Sequence, residues 1–209
     1  RGQEAPEAML DNFKGYLQTD GYVVYDHYAK KEGVTHLGCW AHARRYYEKS
    51  LDNDPKRATH ALKEIQKLYA IERKIKEANL SPDQIKEVRL KEALPVINEF
   101  GKWMTKQLAR TLPKSLIGKA LAYSVFRWDA LCAYLYDGNL LIDNNLIENK
   151  IRPVALGRKN YLFAGSHKAA QRAAAIYSFF AICKKHEVNP YEWLKYTLEN
   201  IMTTKYKDI

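Results

Sequence analysis

The segment from Gly15 to Trp40 reads GYLQTDGYVVYDHYAKKEGVTHLGCW, and its pattern decides the fold class. Residues 16–20 alternate apolar and polar side chains, which is typical of a strand, and residues 34–40 are rich in strand-forming residues. Residues 22–31 between them have helical spacing. Parallel strands need a crossover connection, so a helix between two strands indicates a parallel pair. The segment therefore predicts an α/β unit with a mostly parallel sheet.

The middle of the chain has a different character, because it contains helical patterns and no strand signal. Residues 55–78 place apolar side chains on one helical face, and Ser81-Pro82-Asp83-Gln84 has the form of a capping box. The helix that starts there is predicted to run toward Thr111 with a kink at Pro95. A third helix is predicted to begin near Pro113.

Further helices are predicted at both ends of the chain, over residues 7–15, 41–51, 146–152 and 167–186 and from Pro190 onward. Pro153 is expected to stop the helix over 146–152, and residues 154–166 are expected to form a loop or a short strand. By content the chain is α+β and rich in helix. These patterns divide it into four predicted segments: 1–51, an all-helical block over 52–138, 139–186, and a helical tail over 187–209.

Positive charge is concentrated in the later segments. The 209 residues carry a net charge of +10, of which residues 1–51 contribute none. Between Asn149 and His186 there are eight Lys or Arg and no Asp or Glu. Such an excess indicates a polyanionic partner, with nucleic acid ahead of a membrane surface, although a solvated charged face explains a run of this kind equally well.

The remaining composition indicates an intracellular protein that does not enter a membrane. The chain lacks a run approaching the roughly 18 apolar residues that a membrane-spanning helix needs, and residues 1–6 do not resemble a signal peptide. Its three cysteines, an odd number, argue against a disulfide framework and for a reducing compartment.

Asp20 is the first candidate catalytic residue, because it ends the first predicted strand and precedes Gly21. Ligands of α/β sheets bind at the carboxyl ends of the strands, where a carboxylate is well placed for a metal ion or for catalysis. The alternative is a turn aspartate that accepts a neighbouring backbone N–H.

Glu148 is the second candidate, because it immediately precedes the acid-free basic run. The alternative is a purely structural glutamate, because the first turn of a predicted helix favours an acid through the helix dipole and Arg152 is one turn away. Two carboxylates from distant parts of the chain can hold Mg²⁺, and a two-metal site supports phosphodiester chemistry. Nearby Lys and Arg would then neutralise the DNA backbone.

A zinc site is not expected in this chain. Cys39 and His42 have the spacing of half a zinc site, but the sequence has no second pair to complete four ligands. Cys132 and Cys183 fall on apolar helical faces and are predicted to be core residues.

Several blocks of the chain resemble one family of proteins. These blocks are GYLQTDGYVVYD (Gly15 to Asp26), CWAHARR (Cys39 to Arg45), IDNNLIENKIRPVALGRKNYLFAGS (Ile142 to Ser166) and, near the end, NPYEWLKYTL. In this order they strongly resemble the insertion-sequence 66 family of bacterial transposases, over nearly the whole chain.

The resemblance implies a DDE-type recombinase with an RNase H-like fold that a helical insertion interrupts. Asp20 matches the second catalytic carboxylate of that family and Glu148 the third. The all-helical block over 52–138 accounts for their separation of 128 positions. The cofactor implied is Mg²⁺ or Mn²⁺. The partners implied are transposon-end and target DNA, together with further copies of the chain in a synaptic complex. The protein would act in the bacterial cytoplasm, at the nucleoid.

We expect DNA contacts from nine residues with charged or amide side chains in or near these blocks: Arg44, Arg45, Asn144, Asn145, Arg152, Arg158, Lys159, Lys168 and Arg172.

One part of the family pattern is missing. The first catalytic Asp of the family lies upstream of the second, and Asp11, the one Asp before Asp20, does not match it. We therefore expect the chain to be the C-terminal part of a longer transposase, with an incomplete RNase H-like fold and no activity of its own. The alternative is a basic helical module that binds DNA or a protein and has no catalytic role.

Overall fold

The computed structural model describes residues 4–205, which are mostly helical and contain one small parallel sheet. The chain divides into two compact units, Arg1–Asn145 and Leu146–Ile209. In chain order the helices and strands are α1 (Glu4–Leu10), β1 (Gly15–Gln18), β2 (Val34–Leu37), α2 (Trp40–Glu48), α3 (Pro55–Glu77), α4 (Pro82–Val88), α5 (Leu94–Leu108), α6 (Leu116–Phe126), α7 (Trp128–Cys132), α8 (Asn145–Tyr161), α9 (His167–Lys185) and α10 (Pro190–Asn200).

The parallel pairing predicted from the sequence is confirmed. β1 and β2 pair in parallel, with Gly15 opposite Val34 and Gln18 opposite Leu37. Together with the helices, this sheet gives the helix-rich α+β content that the sequence indicates. The described residues form two strands, so the RNase H-like fold remains a prediction.

The connection between the strands differs from the prediction. Instead of one α-helix over residues 22–31, the structure has two short 3₁₀ helices, Val23–Asp26 and Tyr28–Lys30. β-Branched and aromatic side chains such as Val23 and Tyr25 lose side-chain freedom in an α-helix, and a span this short gains few helical hydrogen bonds. Periodicity alone therefore overestimated the helix.

In the helical middle the predicted cap is present, but the predicted long helices are interrupted. The Ser81 side chain accepts a hydrogen bond from the backbone N–H of Gln84, and the Gln84 side chain accepts one from the backbone N–H of Ser81. The predicted capping box is therefore confirmed. The predicted kink coincides with a π-helical turn, Arg89–Ala93, which ends just before Pro95 enters the first turn of α5. The third predicted helix is broken into α6, α7 and a 3₁₀ helix, Ala133–Tyr136.

One hydrophobic core joins the sheet to the helical middle. Trp40 is fully buried, stacks on Phe100 at 6.1 Å between ring centroids, and donates its indole N–H to the Leu131 carbonyl at 2.8 Å. The Tyr47 hydroxyl donates to Ser124 Oγ at 3.2 Å within the same core. Segments 1–51 and 52–138 of the sequence therefore bury their apolar side chains against each other.

Arg89 is the most connected polar side chain of that core, and it is only 2% exposed. Its guanidinium donates to both carboxylate oxygens of Glu72, at 2.8 and 2.7 Å. It also donates to the carbonyls of Tyr134, Asp137 and Leu140 at 2.8–3.0 Å. These bonds use all five N–H donors of the side chain. Arg89 therefore attaches the 3₁₀ helix Ala133–Tyr136, and the chain that follows it, to the middle of the helical block.

The predicted stop at Pro153 is wrong, because α8 continues through Pro153 to Tyr161. Proline removes one backbone hydrogen bond, but its fixed φ near −65° is itself helical. The loop predicted over 154–166 is correspondingly shorter. Ser166 caps α9 by accepting the N–H of Ala169 at 3.1 Å.

The second unit contains the rest of α8 together with α9 and α10. α8 and α9 approach each other at Gly157, where an added Cβ would lie 2.6 Å from Tyr177 Oη. α9 and α10 pack through the stacked rings of Phe179 and Trp193, 5.1 Å apart. Cys183 is buried here, as its apolar position predicts, whereas Cys132 of the first unit is half-buried.

Within residues 4–205, we find no helix with both the length and the apolar character required to cross a membrane.

The Arg89 contacts predict a large stability effect. Removing one partner of a buried ion pair costs about 3–5 kcal/mol, since the other charge stays buried and unpaired. We expect Arg89→Ala to lower the free energy of unfolding by about that amount in urea denaturation followed by circular dichroism. The control is Lys74→Ala, which removes an exposed ion pair with Glu92 and should cost about 1 kcal/mol or less. Equal losses in the two variants would contradict the role of Arg89.

Candidate functional site

The carboxyl edge of the sheet is crossed by the segment that leads into α8. The side-chain amide of Gln18 donates to the carbonyls of Gly38, at 3.3 Å, and Leu141, at 2.9 Å. The backbone N–H of Trp40 donates to the Ile142 carbonyl at 3.2 Å. Residues 141–145 are thus attached to the ends of both strands, where α/β proteins bind ligands.

Asp20 lies two residues beyond β1 and is exposed. Its Oδ1 accepts the backbone N–H of Tyr22 at 2.9 Å, so the turn geometry considered as an alternative does occur. The other oxygen, Oδ2, has no hydrogen-bond partner among residues 4–205. The carboxylate therefore has a fixed orientation and one oxygen available to a ligand.

The backbone around Asp20 is held by the end of α6. Tyr123 donates its hydroxyl to the Asp20 carbonyl at 2.9 Å, and Arg127 donates to the Gly21 carbonyl at 2.9 Å. The Arg127 guanidinium also lies over the Tyr123 ring, 4.7 Å from its centroid. Gly21 has φ +81°, and an added Cβ would lie 2.6 Å from Arg127 Nε. Sequence analysis missed both Tyr123 and Arg127, since no local pattern connects residues more than 100 positions away.

Thr19 and His36 join the two strands next to Asp20. Thr19 Oγ1 and His36 Nε2 share a hydrogen bond of 2.8 Å, and Thr19 Oγ1 also accepts the N–H of Gly21 at 3.3 Å. Burial lowers the pKa of His36 below its ordinary value, with a smaller contribution from Arg127, and Asp26 opposes the shift. The neutral imidazole is therefore the favoured form at this site.

Asp143 fixes the start of α8. Its carboxylate accepts the Tyr69 hydroxyl at 2.7 Å, the Asn145 backbone N–H at 3.0 Å and the Asn145 side-chain amide at 2.8 Å. Burial, followed by this hydrogen bond, raises the pKa of Tyr69. Asp143 thus connects α3 to the first residue of α8.

Glu148 lies in the first turn of α8 and is half-buried. Because α8 continues past Pro153, Glu148, Arg152 and Lys159 fall within about 40° of one another around the helix axis, whereas Arg158 is about 80° from Glu148. Arg152, Arg158 and Lys159 are exposed. Asp20 belongs to the first compact unit and Glu148 to the second, and each has its own surroundings.

The structure brings three of the predicted DNA contacts together. Arg44, Arg45 and Asn145 line a concavity of about 560 Å³ between α2 and α3. Gln66 and Arg73 of α3 line it too, and sequence analysis missed both. Their i,i+7 spacing on one helical face is the sequence signal that could have found them. This concavity is called the α2–α3 basic concavity below.

The other predicted contacts are distributed more widely. Lys168 and Arg172 are exposed and lie one turn apart near the start of α9. Asn144 is half-buried, and its Oδ1 is buried without a hydrogen-bond partner in residues 4–205.

Cys39 is buried and lies close to the residue that precedes α8. Burial raises the pKa of its thiol, against the effect of backbone N–H groups of Asn144, His42 and Ala41. The thiol form, which is a poor metal ligand, is therefore favoured. In the part of the chain that the structure describes, no three His, Cys, Asp or Glu side chains cluster in a way that could hold a metal ion.

These features define a basic, helix-rich α+β protein with an oriented carboxylate at the edge of a parallel sheet. The profile of the Transposase IS66 family matches residues 1–172. The chain belongs to this family of transposases, as its sequence blocks predict.

Similar proteins occur in Sinorhizobium fredii (strain NBRC 101917 / NGR234). Uncharacterized protein y4qI is 31% identical over 209 residues, covering 96% of this chain and 38% of that protein. Uncharacterized protein y4hP is 32% identical over 218 residues, covering 96% and 39%. The chain thus spans about two fifths of the length of these curated relatives. No solved structure matches it.

The lowered pKa of His36 predicts how stability depends on pH. Neutral His36 stabilises the folded chain fully above the unfolded-state pKa of about 6.5, and this stabilisation is lost as pH falls through the lower folded-state pKa. We expect the free energy of unfolding to decrease more steeply below about pH 6.5 in the wild type than in His36→Gln. Urea denaturation at a series of pH values measures the two slopes, and equal slopes would contradict the assignment.

Proposed function

We propose that this chain forms part of the catalytic region of a DDE transposase, in which divalent metal ions support DNA strand cleavage and strand transfer. The observation that carries the proposal is the family match over residues 1–172, which includes both Asp20 and Glu148. We assign these two side chains as metal-binding carboxylates. The protein would act on transposon-end and target DNA in the bacterial cytoplasm, at the nucleoid, and would assemble with further copies in a synaptic complex.

The surroundings of Asp20 fit this role. Mg²⁺ prefers oxygen ligands and keeps positions open for water and phosphate. Asp20 is exposed and offers its second carboxylate oxygen, while Tyr22 orients the carboxylate and Tyr123 fixes the backbone behind it. A bound pair of metal ions would activate the attacking oxygen and stabilise the leaving one.

The alignment on α8 supports the role of Glu148. Arg152 and Lys159 extend the face of α8 that begins at Glu148, so a carboxylate and two cations follow one another along the helix. Cations in this arrangement would neutralise the phosphates on either side of a reacting phosphodiester. Acid and base on one helical face therefore have separate tasks: Glu148 holds metal, and the basic residues hold DNA.

A two-carboxylate chain would need a further ligand to complete a DDE site. We propose that the first Asp of the family comes from outside these 209 residues, which agrees with the greater length of the relatives. The RNase H-like fold would then be completed by strands from the same part of the protein. This chain by itself would bind DNA without cleaving it.

A non-catalytic basic module that binds DNA remains the second candidate. It is favoured by the helical content and by the lack, within residues 4–205, of three clustered metal-binding side chains. The two candidates differ in one respect that an experiment can measure. Only a catalytic region requires Asp20 for metal binding.

The assignment of Asp20 predicts a specific loss of metal binding. We expect Asp20→Asn to weaken Mn²⁺ binding by about tenfold or more, which corresponds to about 1.4 kcal/mol, since the variant removes a charged oxygen ligand. Calorimetric titration with Mn²⁺ measures this directly. The control is Asp129→Asn, which removes an exposed carboxylate elsewhere in the first unit and should bind Mn²⁺ as the wild type does.

Two results would each contradict one part of the proposal, the first the assignment of Asp20 and the second the inactivity of the chain by itself. Equal Mn²⁺ binding by Asp20→Asn and the wild type would favour the non-catalytic module. Cleavage of supercoiled plasmid by the 209-residue chain, abolished in Asp20→Asn, would show that no further carboxylate is needed.

We expect DNA to bind the second unit on the face of α8 that carries Arg152 and Lys159. We expect Arg152→Ala with Lys159→Ala to weaken duplex binding and to lower the slope of log K against log salt by about 0.9 for each phosphate that is no longer neutralised. The variant Arg158→Ala, about 80° around the helix, should have a smaller effect. A matched control is Lys91→Ala with Lys106→Ala, which removes the same charge from exposed positions of the helical middle. If both double variants bind alike, the DNA lies elsewhere.

A further inference from the structure

The α2–α3 basic concavity is assembled from parts of the chain that lie far apart in the sequence. Arg44 and Arg45 come from α2, Gln66 and Arg73 come from α3, and Asn145 is the first residue of α8. All five belong to the first compact unit. The helical middle therefore supplies one wall of a site whose other walls come from the segments that carry the family motifs.

The concavity has an excess of positive charge. Three arginines line it, against the single carboxylate of Glu48, which forms an ion pair of 2.7 Å with Arg44. Arg73 is exposed and forms no ion pair with any residue from 4 to 205. A concave surface lined by charge of one sign concentrates the field and attracts the opposite charge.

Some polar side chains in the concavity already make hydrogen bonds to other residues, and others do not. The Asn145 amide donates to Asp143, and the Tyr69 hydroxyl of α3 donates to Asp143 as well. By contrast, the side-chain amide of Gln66 makes no hydrogen bond to another residue between 4 and 205, and it is exposed. Arg73 and Gln66 are therefore the donors that remain available to a ligand. Both line the same concavity about two helical turns apart on α3, and guanidinium and amide N–H groups suit the oxygens of a phosphate.

We propose that the α2–α3 basic concavity binds a phosphodiester group of the DNA backbone, with Arg73 and Gln66 as hydrogen-bond donors. The inference rests on the proposed action of the chain on DNA, and it gives the helical middle a part in holding that DNA. The bound phosphate lies beside the hydrogen bonds by which Tyr69 and Asp143 fix the first residue of α8. DNA held here is thus held next to the point from which the Glu148 helix starts.

The test compares two exposed positions on the same helix. Arg73→Ala and Lys76→Ala each remove one positive charge from α3, three residues apart, but only Arg73 lines the concavity. Fluorescence anisotropy with a short duplex of random sequence gives binding constants between about 50 and 200 mM salt. We expect Arg73→Ala to bind several-fold more weakly than Lys76→Ala and to lower the salt slope by about 0.9.

A cross-linking measurement provides a second readout, the proximity of the DNA backbone to a given position on α3. Gln66→Cys is compared with Lys76→Cys for disulfide capture of a duplex that carries a thiol tether on its backbone. Capture by the wild-type chain gives the background, since Cys39 and Cys183 are buried but Cys132 is only half-buried. Preferential capture by Gln66→Cys is the expected result.

The outcomes separate this inference from the proposed function. If the wild type binds DNA but Arg73→Ala matches Lys76→Ala and the two cysteine variants capture equally, the inference is overturned and the DNA-binding function stands. If the wild-type chain binds no duplex even at the lowest salt, both are overturned. Weaker binding in Arg73→Ala together with preferential capture at position 66 supports the inference.

Discussion

The arrangement of the first unit depends on the ion pair and hydrogen bonds of the buried Arg89 guanidinium. An unpaired guanidinium in the core would destabilise the fold strongly, so Glu72 must lie beside it and the carbonyls of Tyr134, Asp137 and Leu140 must turn toward it. These three carbonyls belong to the stretch between the last helix of the middle block and the carboxyl edge of the sheet. Their fixed positions determine the path by which the chain reaches residues 141–145 and then α8.

The helical middle therefore has a structural task at both candidate carboxylates. Through Tyr123 it holds the backbone of Asp20, and through Tyr69 and Asp143 it holds the first residue of the helix that carries Glu148. A helical block that packs against the sheet in one continuous core can hold distant residues in fixed positions, because tightly packed interiors do not deform continuously. A long helical block can therefore lie between the two residues in the sequence while the backbone of Asp20 and the start of α8 each keep a fixed position.

Sequence patterns predicted some local features correctly and others wrongly. The capping box at Ser81 and the parallel strand pair depend on nearby residues, and both are confirmed. The helix over 22–31 and the stop at Pro153 are wrong, because periodicity does not report the cost of ordering bulky side chains and because a proline can be accommodated within a helix. Pro153 matters for the site, since only an unbroken α8 aligns Lys159 with Glu148.

The sequence by itself determined the family, the excess of positive charge, the position of Asp20 after a strand and that of Glu148 at a helix start. Only the tertiary structure decided what holds them and which basic residues share a surface. Tyr123 lies 103 positions from Asp20, Tyr69 lies 74 positions from Asp143, and Arg73 joins Arg44 in one concavity across α2 and α3. Contacts over such separations arise from the packing of buried faces, and no periodicity or motif within a few turns of chain encodes them.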